Sequence, residues 1–205
     1  MTEPWLERWQ EGRIGWHEPT GNASLQKYWS GSGKRVLVPL CGKTPDLLWL
    51  EEQGNEVVGV ELSDLAARAF FDENDIEFTT RDVGLTAYEG TDRRITIFCG
   101  DFFDFANTGF DACYDRGALI ALTLDVRPAY ARHLDTLLTA DASRLLITLE
   151  YDDTIATGPP FSVSAEEVLG YWPGLEVIDR YDDIDNGPPK FLKAGLTAMY
   201  ESVWR

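Results

Sequence analysis

The sequence predicts an α/β fold with a mostly parallel central sheet and helices on both faces. Apolar segments rich in branched residues alternate along the chain with segments of helical periodicity. Strands that alternate with helices in this way form parallel sheets covered on both sides. A glycine-containing turn follows the first apolar segment, and an acidic residue ends the second. A length of 205 residues and 44% hydrophobic composition suit one globular domain spanning residues 1–205.

Composition excludes several classes of protein. The net charge of −17 counts against nucleic-acid binding, which requires a basic surface, although it suits a cationic small ligand. No stretch reaches the roughly 18 apolar residues of a membrane span, and the first residues lack the pattern of a signal peptide. Cys41, Cys99 and Cys113 lack metal-ligand spacing. We therefore expect a cytoplasmic protein with reduced thiols, no metal, and neither membrane nor nucleic-acid partners.

The first 30 residues form an aromatic segment outside the alternating core. In "WLERWQEG", Trp5 and Trp9 are four residues apart and share one face of a short helix. "NASLQKYW" predicts a second helix with Asn22 or Ser24 as N-cap. We expect this segment to be a cap that covers the active site and excludes water, although the spacing of the two tryptophans fits ordinary core packing equally well.

A strand, a helix and a second strand come next. "RVLVPL" is predicted to be a buried strand that ends at Pro39, because proline cannot donate to the sheet. "TPDLLWLEEQG" is predicted to be a helix with Thr44 as N-cap, Pro45 at the first helical position and Gly54 at its end. "EVVGVEL" is the second strand, and Ser63 is the expected N-cap of the helix "SDLAARAFFDEND".

The remaining elements continue the alternation. "RITIFCGDFFDF" predicts a strand and an acidic turn, and "FDACYDRGALIAL" predicts a strand followed by a turn into a helix. "PAYARHLDTLL" and "SAEEVLGYW" have helical periodicity, whereas "SRLLITLEY", "LEVIDRYDDID" and "LTAMYESVWR" are expected to be strands. Ligands of such folds bind beyond the carboxyl ends of the parallel strands, so the residues after each strand are the candidates for function.

The first two strand ends carry a pattern typical of nucleotide-like cofactors. Gly42 lets the backbone approach a ligand, and the following helix N-terminus offers free N–H donors. Glu61 lies about 20 residues further on, where an acid accepts hydrogen bonds from ribose hydroxyls. Gly42 alone also fits an ordinary turn between a strand and a helix, and Glu61 alone also fits a solvated acid at a strand end. The pair fits NAD, FAD and S-adenosylmethionine alike, but the missing three-glycine turn favours S-adenosylmethionine over a dinucleotide.

The next two strand ends add four candidates. Asp101 is suited to the exocyclic amine of an adenine and Phe102 to its face, although a capping acid and a core aromatic would leave the same pattern. Asp115 and Arg116 end the fourth strand, where they form either a functional site or a surface ion pair of small energetic value. His133 lies in a predicted helix and is expected to be a surface residue.

Five motifs, taken in order, resemble the thiopurine S-methyltransferase family: "VLVPLCGKTPDLLWL", "VVGVELS", "GDFFDF", "YDRGALIAL" and "GPPFSV". The segment "WLERWQEGRIGWHE" is also similar, so the resemblance covers nearly the whole chain. It implies a Rossmann-like class I methyltransferase that uses S-adenosylmethionine and releases S-adenosylhomocysteine. The family favours a monomer. A role in detoxifying thiols or metalloids is an inference from the resemblance.

The resemblance assigns roles to individual positions. The positions implied to contact the cofactor, including those suggested by the strand ends, are Trp5, Trp9, Leu40, Gly42, Glu61, Asp101, Phe102 and Arg116. Trp16 falls where the family often has a substrate-packing phenylalanine. His17 follows it and is expected either to contact the substrate or to have a structural role. Lys190 falls near a position that often carries a second substrate-facing arginine, and lysine lacks the planar fork. Arg116 is the expected catalytic residue, because it can hold the thiolate or a bridging water.

The implied reaction is methyl transfer to the sulfur of thiopurines and other aromatic or heterocyclic thiols. A heteroaromatic thiol is acidic, so we expect catalysis to come from alignment and desolvation rather than from a strong base. One alternative is a related methyltransferase acting on halide, thiocyanate, selenium or tellurium species. Two alternatives from other classes are a dinucleotide-binding, dehydrogenase-like module and a binding protein without catalytic activity.

Overall fold

The computed structural model describes residues 3–205, which form two compact units. The first unit comprises the described residues up to Cys113 together with Leu137–Ala142. The second comprises Tyr114–Thr136 and Ser143–Arg205. The assignment of residues 1–205 to a single domain stays a prediction.

The strands and helices largely follow the predicted alternation. The strands are β1 (Arg35–Pro39), β2 (Glu56–Glu61), β3 (Phe78–Asp82), β4 (Thr86–Gly90), β5 (Ile95–Cys99), β6 (Phe110–Asp115), β7 (Leu138–Glu150), β8 (Val177–Asp182) and β9 (Tyr200–Trp204). The α-helices are α1 (Glu3–Gln10), α2 (Ala23–Tyr28), α3 (Asp46–Glu52), α4 (Asp64–Glu73), α5 (Ala118–Ala121), α6 (Arg127–Leu137), α7 (Ala165–Tyr171) and α8 (Pro189–Ala194).

Parallel pairing is found in the centre of the first unit, where the strand order is β3-β4-β5-β2-β1-β6. β1 is parallel to both β2 and β6, and β2 is parallel to β5, with Glu61 opposite Cys99. The carboxyl ends of these strands therefore meet at one edge of the sheet, because parallel strands end on the same side. The interior residues Leu37, Val57 and Ile97 are fully buried, as expected of a sheet covered on both faces.

The turns that lead into α3 and α4 follow the carboxyl ends of β1 and β2. Ser63 is the N-cap of α4, as predicted, since its hydroxyl accepts the N–H of Ala66. The predicted start of α3 is wrong by one residue. Pro45 is the N-cap rather than the first helical residue, and Thr44 lies before it and accepts the N–H of Asp46 at 3.3 Å. The predicted stop is confirmed, because Gly54 follows α3 with a φ of +93°.

The second unit contains the antiparallel strands β7, β9 and β8 in that order. Leu149 lies opposite Glu201 in the β7–β9 pair, and Arg180 lies opposite Ser202 in the β8–β9 pair. Arg127 on α6 is 2% exposed and pairs with Glu167 on α7 at 2.8 Å. This ion pair fixes α6 and α7 together inside the unit.

The sequence patterns missed the hairpin of β3 and β4. It is antiparallel within itself, and β4 is antiparallel to β5, so the sheet is more mixed than expected. β3 is mostly exposed and polar and therefore lacks the apolar pattern on which strand prediction relies. Helix α8 was also missed, because Pro188 and Pro189, its N-cap and first residue, form a proline pair that indicates a loop.

No helix within residues 3–205 is long and apolar enough to cross a bilayer. The same residues contain no group of three or more His, Cys, Asp or Glu side chains placed to hold a metal ion.

Candidate active site

Glu61 joins the turns that follow the first two strands. One carboxylate oxygen, Oε2, accepts the N–H of Gly42 at 2.8 Å, and the other, Oε1, accepts the N–H of Ser63 at 2.8 Å. The side chain is 7% exposed, and burial raises the pKa of its carboxyl above the ordinary value. Glu61 thus fixes both turns to each other, which its position at a strand end did not reveal.

The turn after β1 holds its backbone in the left-handed region at two positions. Leu40 has a φ of +48° and Gly42 a φ of +57°. A left-handed leucine costs free energy, so the surrounding contacts must hold it in place. One such contact is the N–H of Cys41, which donates to the Val60 carbonyl at 3.0 Å. This hydrogen bond ties the turn to the end of β2.

Trp9 on α1 covers this turn. A Cβ added to Gly42 would lie 3.3 Å from Cζ2 of Trp9, so the indole packs directly on the glycine backbone. Trp9 is 6% exposed, and α1 packs against α4, the helix that begins after Glu61. The structure thus places the predicted cap residue Trp9 at the glycine turn.

Trp16 completes an aromatic cluster with the two tryptophans of α1. Its ring centroid lies 5.1 Å from that of Trp5 and 5.8 Å from that of Trp9, both edge-to-face. This geometry is favourable for aromatic pairs. His17 follows in the chain, is half-buried, and donates its backbone N–H to the Ile14 carbonyl. Trp5, Trp9 and Trp16 therefore form one aromatic cluster in the first unit.

The end of β5 lies beside the end of β2. The N–H of Gly100 donates to the Glu61 carbonyl at 2.9 Å. Asp101 then caps a short 3-10 helix by accepting the N–H of Phe103 at 3.0 Å, and Phe102 within that helix is 5% exposed. Asp101 is thus a capping acid and Phe102 a buried aromatic, which are the structural alternatives to contact with an adenine.

Two cysteines lie close to these strand ends. Burial raises the pKa of the Cys41 thiol well above its ordinary value, and the charge of Glu61 adds to the effect. Burial also raises the pKa of the Cys99 thiol to about 11. Both thiols are protonated at neutral pH, so neither supplies the thiolate that a cysteine nucleophile requires. All three cysteines are free, as expected.

The donor and acceptor set of the first unit fits S-adenosylmethionine. Glu61 and Asp101 carry carboxylates, which can accept hydrogen bonds of the kind that ribose hydroxyls and an adenine amine donate, and Phe102 is a neighbouring apolar ring. Gly42 has no side chain, and a Cβ at this position would lie too close to the indole of Trp9. The nucleotide-like cofactor predicted from the sequence therefore has acceptors and an apolar surface at adjoining strand ends.

Asp115 and Arg116 belong to the second unit. The Asp115 carboxylate points inward, where it accepts the N–H groups of Ala118 and Leu119 and the hydroxyl of Tyr130 at 2.7 Å. It is 2% exposed, and burial raises its pKa to about 6. Arg116 is half-buried. Asp115 is therefore buried and not at the surface, and its carboxylate holds the start of α5.

Lys190 lies at the start of α8 in the second unit. Its ammonium group donates to the carbonyls of Thr157 and Pro159 at 3.0 and 2.9 Å. Thr157 directly precedes the "GPPF" segment and Pro159 lies within it, and the Tyr151 hydroxyl donates to the Pro160 carbonyl of the same segment. Lys190 therefore holds this loop, a role that the sequence did not suggest. His133 on α6 is partly exposed.

A family model described as "Thiopurine S-methyltransferase (TPMT)" matches residues 1–205. A thiopurine S-methyltransferase of Bordetella petrii is 45% identical over 214 residues, covering 99% of this chain and 96% of that protein. The thiopurine S-methyltransferase of Pseudomonas syringae pv. syringae is 44% identical over 217 residues, with coverage of 99% and 96%.

Solved structures are similar in fold at much lower identity. A TehB-like SAM-dependent methyltransferase of Corynebacterium glutamicum has a TM-score of 0.56 at 17% identity, covering 99% of this chain and 96% of that one. The 1,6-didemethyltoxoflavin-N1-methyltransferase of Burkholderia thailandensis, with bound S-adenosylhomocysteine, has a TM-score of 0.64 at 17% identity, with coverage of 100% and 86%.

Proposed function

Because the chain belongs to the thiopurine S-methyltransferase family, we propose that it methylates the sulfur of thiopurines and other aromatic or heterocyclic thiols. It has the class I Rossmann-like methyltransferase fold and is an S-adenosylmethionine-dependent methyltransferase. This removes the two alternatives from other classes, a dehydrogenase-like module and a binding protein without catalytic activity. The choice of acceptor is the part that remains a proposal.

The observation that carries the thiol assignment is the cluster of Trp5, Trp9 and Trp16, of which Trp9 packs on the glycine turn. Flat indole surfaces next to the cofactor turn suit a flat aromatic acceptor, which gains both apolar burial and ring–ring contact. A halide or a small oxyanion would gain neither. The cluster therefore favours an aromatic thiol over the halide, selenium and tellurium alternatives.

In the proposed reaction each residue binds, orients or excludes water. S-adenosylmethionine supplies an electrophilic methyl group, so the thiolate lone pair forms the new S–C bond while the old bond breaks and its electrons stay on the departing thioether. Glu61 and Asp101 hold the cofactor through its hydroxyl and amine groups, with Leu40 and Phe102 against its apolar parts. The tryptophans exclude water, and this removes the hydration shell of the thiolate.

Arg116 is the proposed catalytic residue, because a guanidinium stabilises the thiolate that attacks. No strong base is needed, since an acidic heteroaromatic thiol is already largely ionised. Trp16 and His17 are proposed to contact the substrate. Lys190 is proposed to reach the substrate as well, although its ammonium group is bonded to the "GPPF" loop in this structure.

We further propose a cytoplasmic, monomeric enzyme that detoxifies thiols. The free state of its cysteines supports a reducing compartment. The net charge of −17 supports small molecules rather than nucleic acid as partners.

A competition between acceptor classes tests the thiol assignment. Purified protein is given S-adenosylmethionine with a thiopurine, an aryl thiol, selenite, tellurite or iodide, and S-adenosylhomocysteine release is measured. We expect the two thiols to have the highest kcat/KM. Methylation of iodide or tellurite with both thiols unchanged would establish the alternative acceptor class instead.

A further inference from the structure

Arg8 places a positive charge on the aromatic cluster of the cap. It lies on α1 between Trp5 and Trp9, and its guanidinium carbon is 5.0 Å from the Trp5 ring centroid and 6.0 Å from that of Trp16. The side chain is only partly exposed. Neither the sequence motifs nor the resemblance assigned a role to this residue.

Arg8 differs from the other cations near the glycine turn. Lys43 in the turn is paired with Glu73, and Arg68 on α4 is paired with Asp64 at 2.7 Å. Among the side chains described for residues 5–205, no carboxylate forms an ion pair with Arg8. Its recorded contacts within these described residues are instead with the Trp5 and Trp16 rings.

These cation–π contacts leave the guanidinium available to a ligand. A ring attracts the positive charge without taking up the N–H donors in strong hydrogen bonds, so the donors remain able to bind a carboxylate with two parallel hydrogen bonds. The same contacts restrict the side chain, so less conformational entropy is lost on binding. In a chain of net charge −17, the cation of Arg8 beside Trp16 makes this position favourable for an anion.

We propose that Arg8 determines specificity for aromatic thiols that carry a second, oxyanionic group such as a carboxylate. This proposal rests on the proposed function, because it places the acceptor ring against Trp16. The thiolate would attack the methyl group while the carboxylate of the same substrate bonds to the Arg8 edge. A neutral aryl thiol would gain the ring contacts without the ion pair.

Two ligands of nearly equal shape test the assignment. Affinities of 4-mercaptobenzoate and 4-mercaptobenzamide for protein saturated with S-adenosylhomocysteine are measured by calorimetry at pH 8. We expect Arg8→Met to weaken 4-mercaptobenzoate about tenfold, equal to about 1.4 kcal/mol, and to leave 4-mercaptobenzamide nearly unchanged. Arg8→Lys should weaken 4-mercaptobenzoate to a smaller extent, since the charge returns without the planar fork.

Arg13→Met is the matched control, because it removes the same charge from the same segment at a guanidinium already paired with Glu11. It should change neither affinity. Equal weakening of both ligands by Arg8→Met would overturn the proposal, since Arg8 would then only support the packing of the cap. Failure of the wild-type protein to bind 4-mercaptobenzoate would overturn it too.

Turnover separates this proposal from the proposed function. Both thiols are offered with S-adenosylmethionine, and the rate of methyl transfer is measured beside the affinities. Binding that depends on Arg8 without methylation of either thiol would contradict the thiol methyltransferase assignment, yet it would support Arg8 as an anion site. Methylation of both thiols with affinities independent of Arg8 would overturn the Arg8 assignment alone.

Discussion

Gly42→Ala tests whether the contact between the cap and the glycine turn controls cofactor binding. Gly42 has a φ of +57°, and a Cβ at this position would lie 3.3 Å from Cζ2 and 3.7 Å from Cη2 of Trp9. Carbon atoms at optimal contact are about 3.5–4.0 Å apart. The indole must therefore move by a few tenths of an ångström, away from the turn that it covers.

The expected cost has two parts. An L-residue in the left-handed region costs about 1–2 kcal/mol, and a less flexible unfolded chain offsets about 0.4–1 kcal/mol of this. The forced contact with Trp9 adds about 1 kcal/mol, the lower end of the range for overpacking. We therefore expect Gly42→Ala to lower the free energy of unfolding by about 2 kcal/mol.

Gly33→Ala is the control for the backbone part. Gly33 has a φ of +71°, but an added Cβ would meet no atom within 4 Å. It should lose about 1 kcal/mol of stability, the net backbone cost alone. Urea unfolding gives both values, and calorimetry gives the affinity for S-adenosylhomocysteine. That affinity should fall about fivefold in Gly42→Ala, equal to about 1 kcal/mol, and stay unchanged in Gly33→Ala.

A double-mutant cycle with Trp9→Leu isolates the contact. If the indole causes the extra cost, removing it relieves the strain, and the two substitutions together should destabilise by about 1 kcal/mol less than their sum. Additive effects within about 0.3 kcal/mol would refute the reasoning, as would equal losses of stability in Gly42→Ala and Gly33→Ala.

Three further predictions concern the strand ends. Burial raises the pKa of Asp115 from 3.8 to about 6, so the folded protein holds this proton more tightly than the unfolded chain does. The protonated carboxyl therefore stabilises the fold by about 3 kcal/mol. This stabilisation is complete below about pH 4 and is lost as the pH rises through about 6. Asp115→Asn should remove that pH dependence in urea unfolding, and an unchanged dependence would assign it to other groups. Glu61→Gln leaves one of the N–H groups of Gly42 and Ser63 without an acceptor. We therefore expect calorimetry to show that S-adenosylhomocysteine binds about 1.5–3 kcal/mol more weakly to this variant. Equal affinity in a folded variant would remove Glu61 from the site. Arg116→Ala should lower kcat/KM for a thiopurine roughly 10–100-fold with partial recovery in Arg116→Lys, whereas a normal single-turnover rate in a less stable protein would indicate a structural role.

Sequence alone determined the elements whose signals are local. The proline that ends β1, the serine that caps α4 and the glycine that follows α3 each act on the backbone within a few residues, so their positions could be read directly. The alternation of buried strands and helices also fixed the fold class and the edge at which ligands bind. The resemblance added the family and the cofactor, because it rests on motifs spread over nearly the whole chain.

Only the tertiary structure decided how residues distant in sequence meet. Glu61 bonds to a turn 19 residues earlier, and Trp9 packs on Gly42 across 33 residues, because β1 and β2 are neighbours and α1 folds back over their ends. Asp115 looked like one half of a surface pair with Arg116, yet the start of α5 and the Tyr130 hydroxyl draw it inward. Such contacts depend on which elements lie side by side, and neither periodicity nor local propensity carries that information.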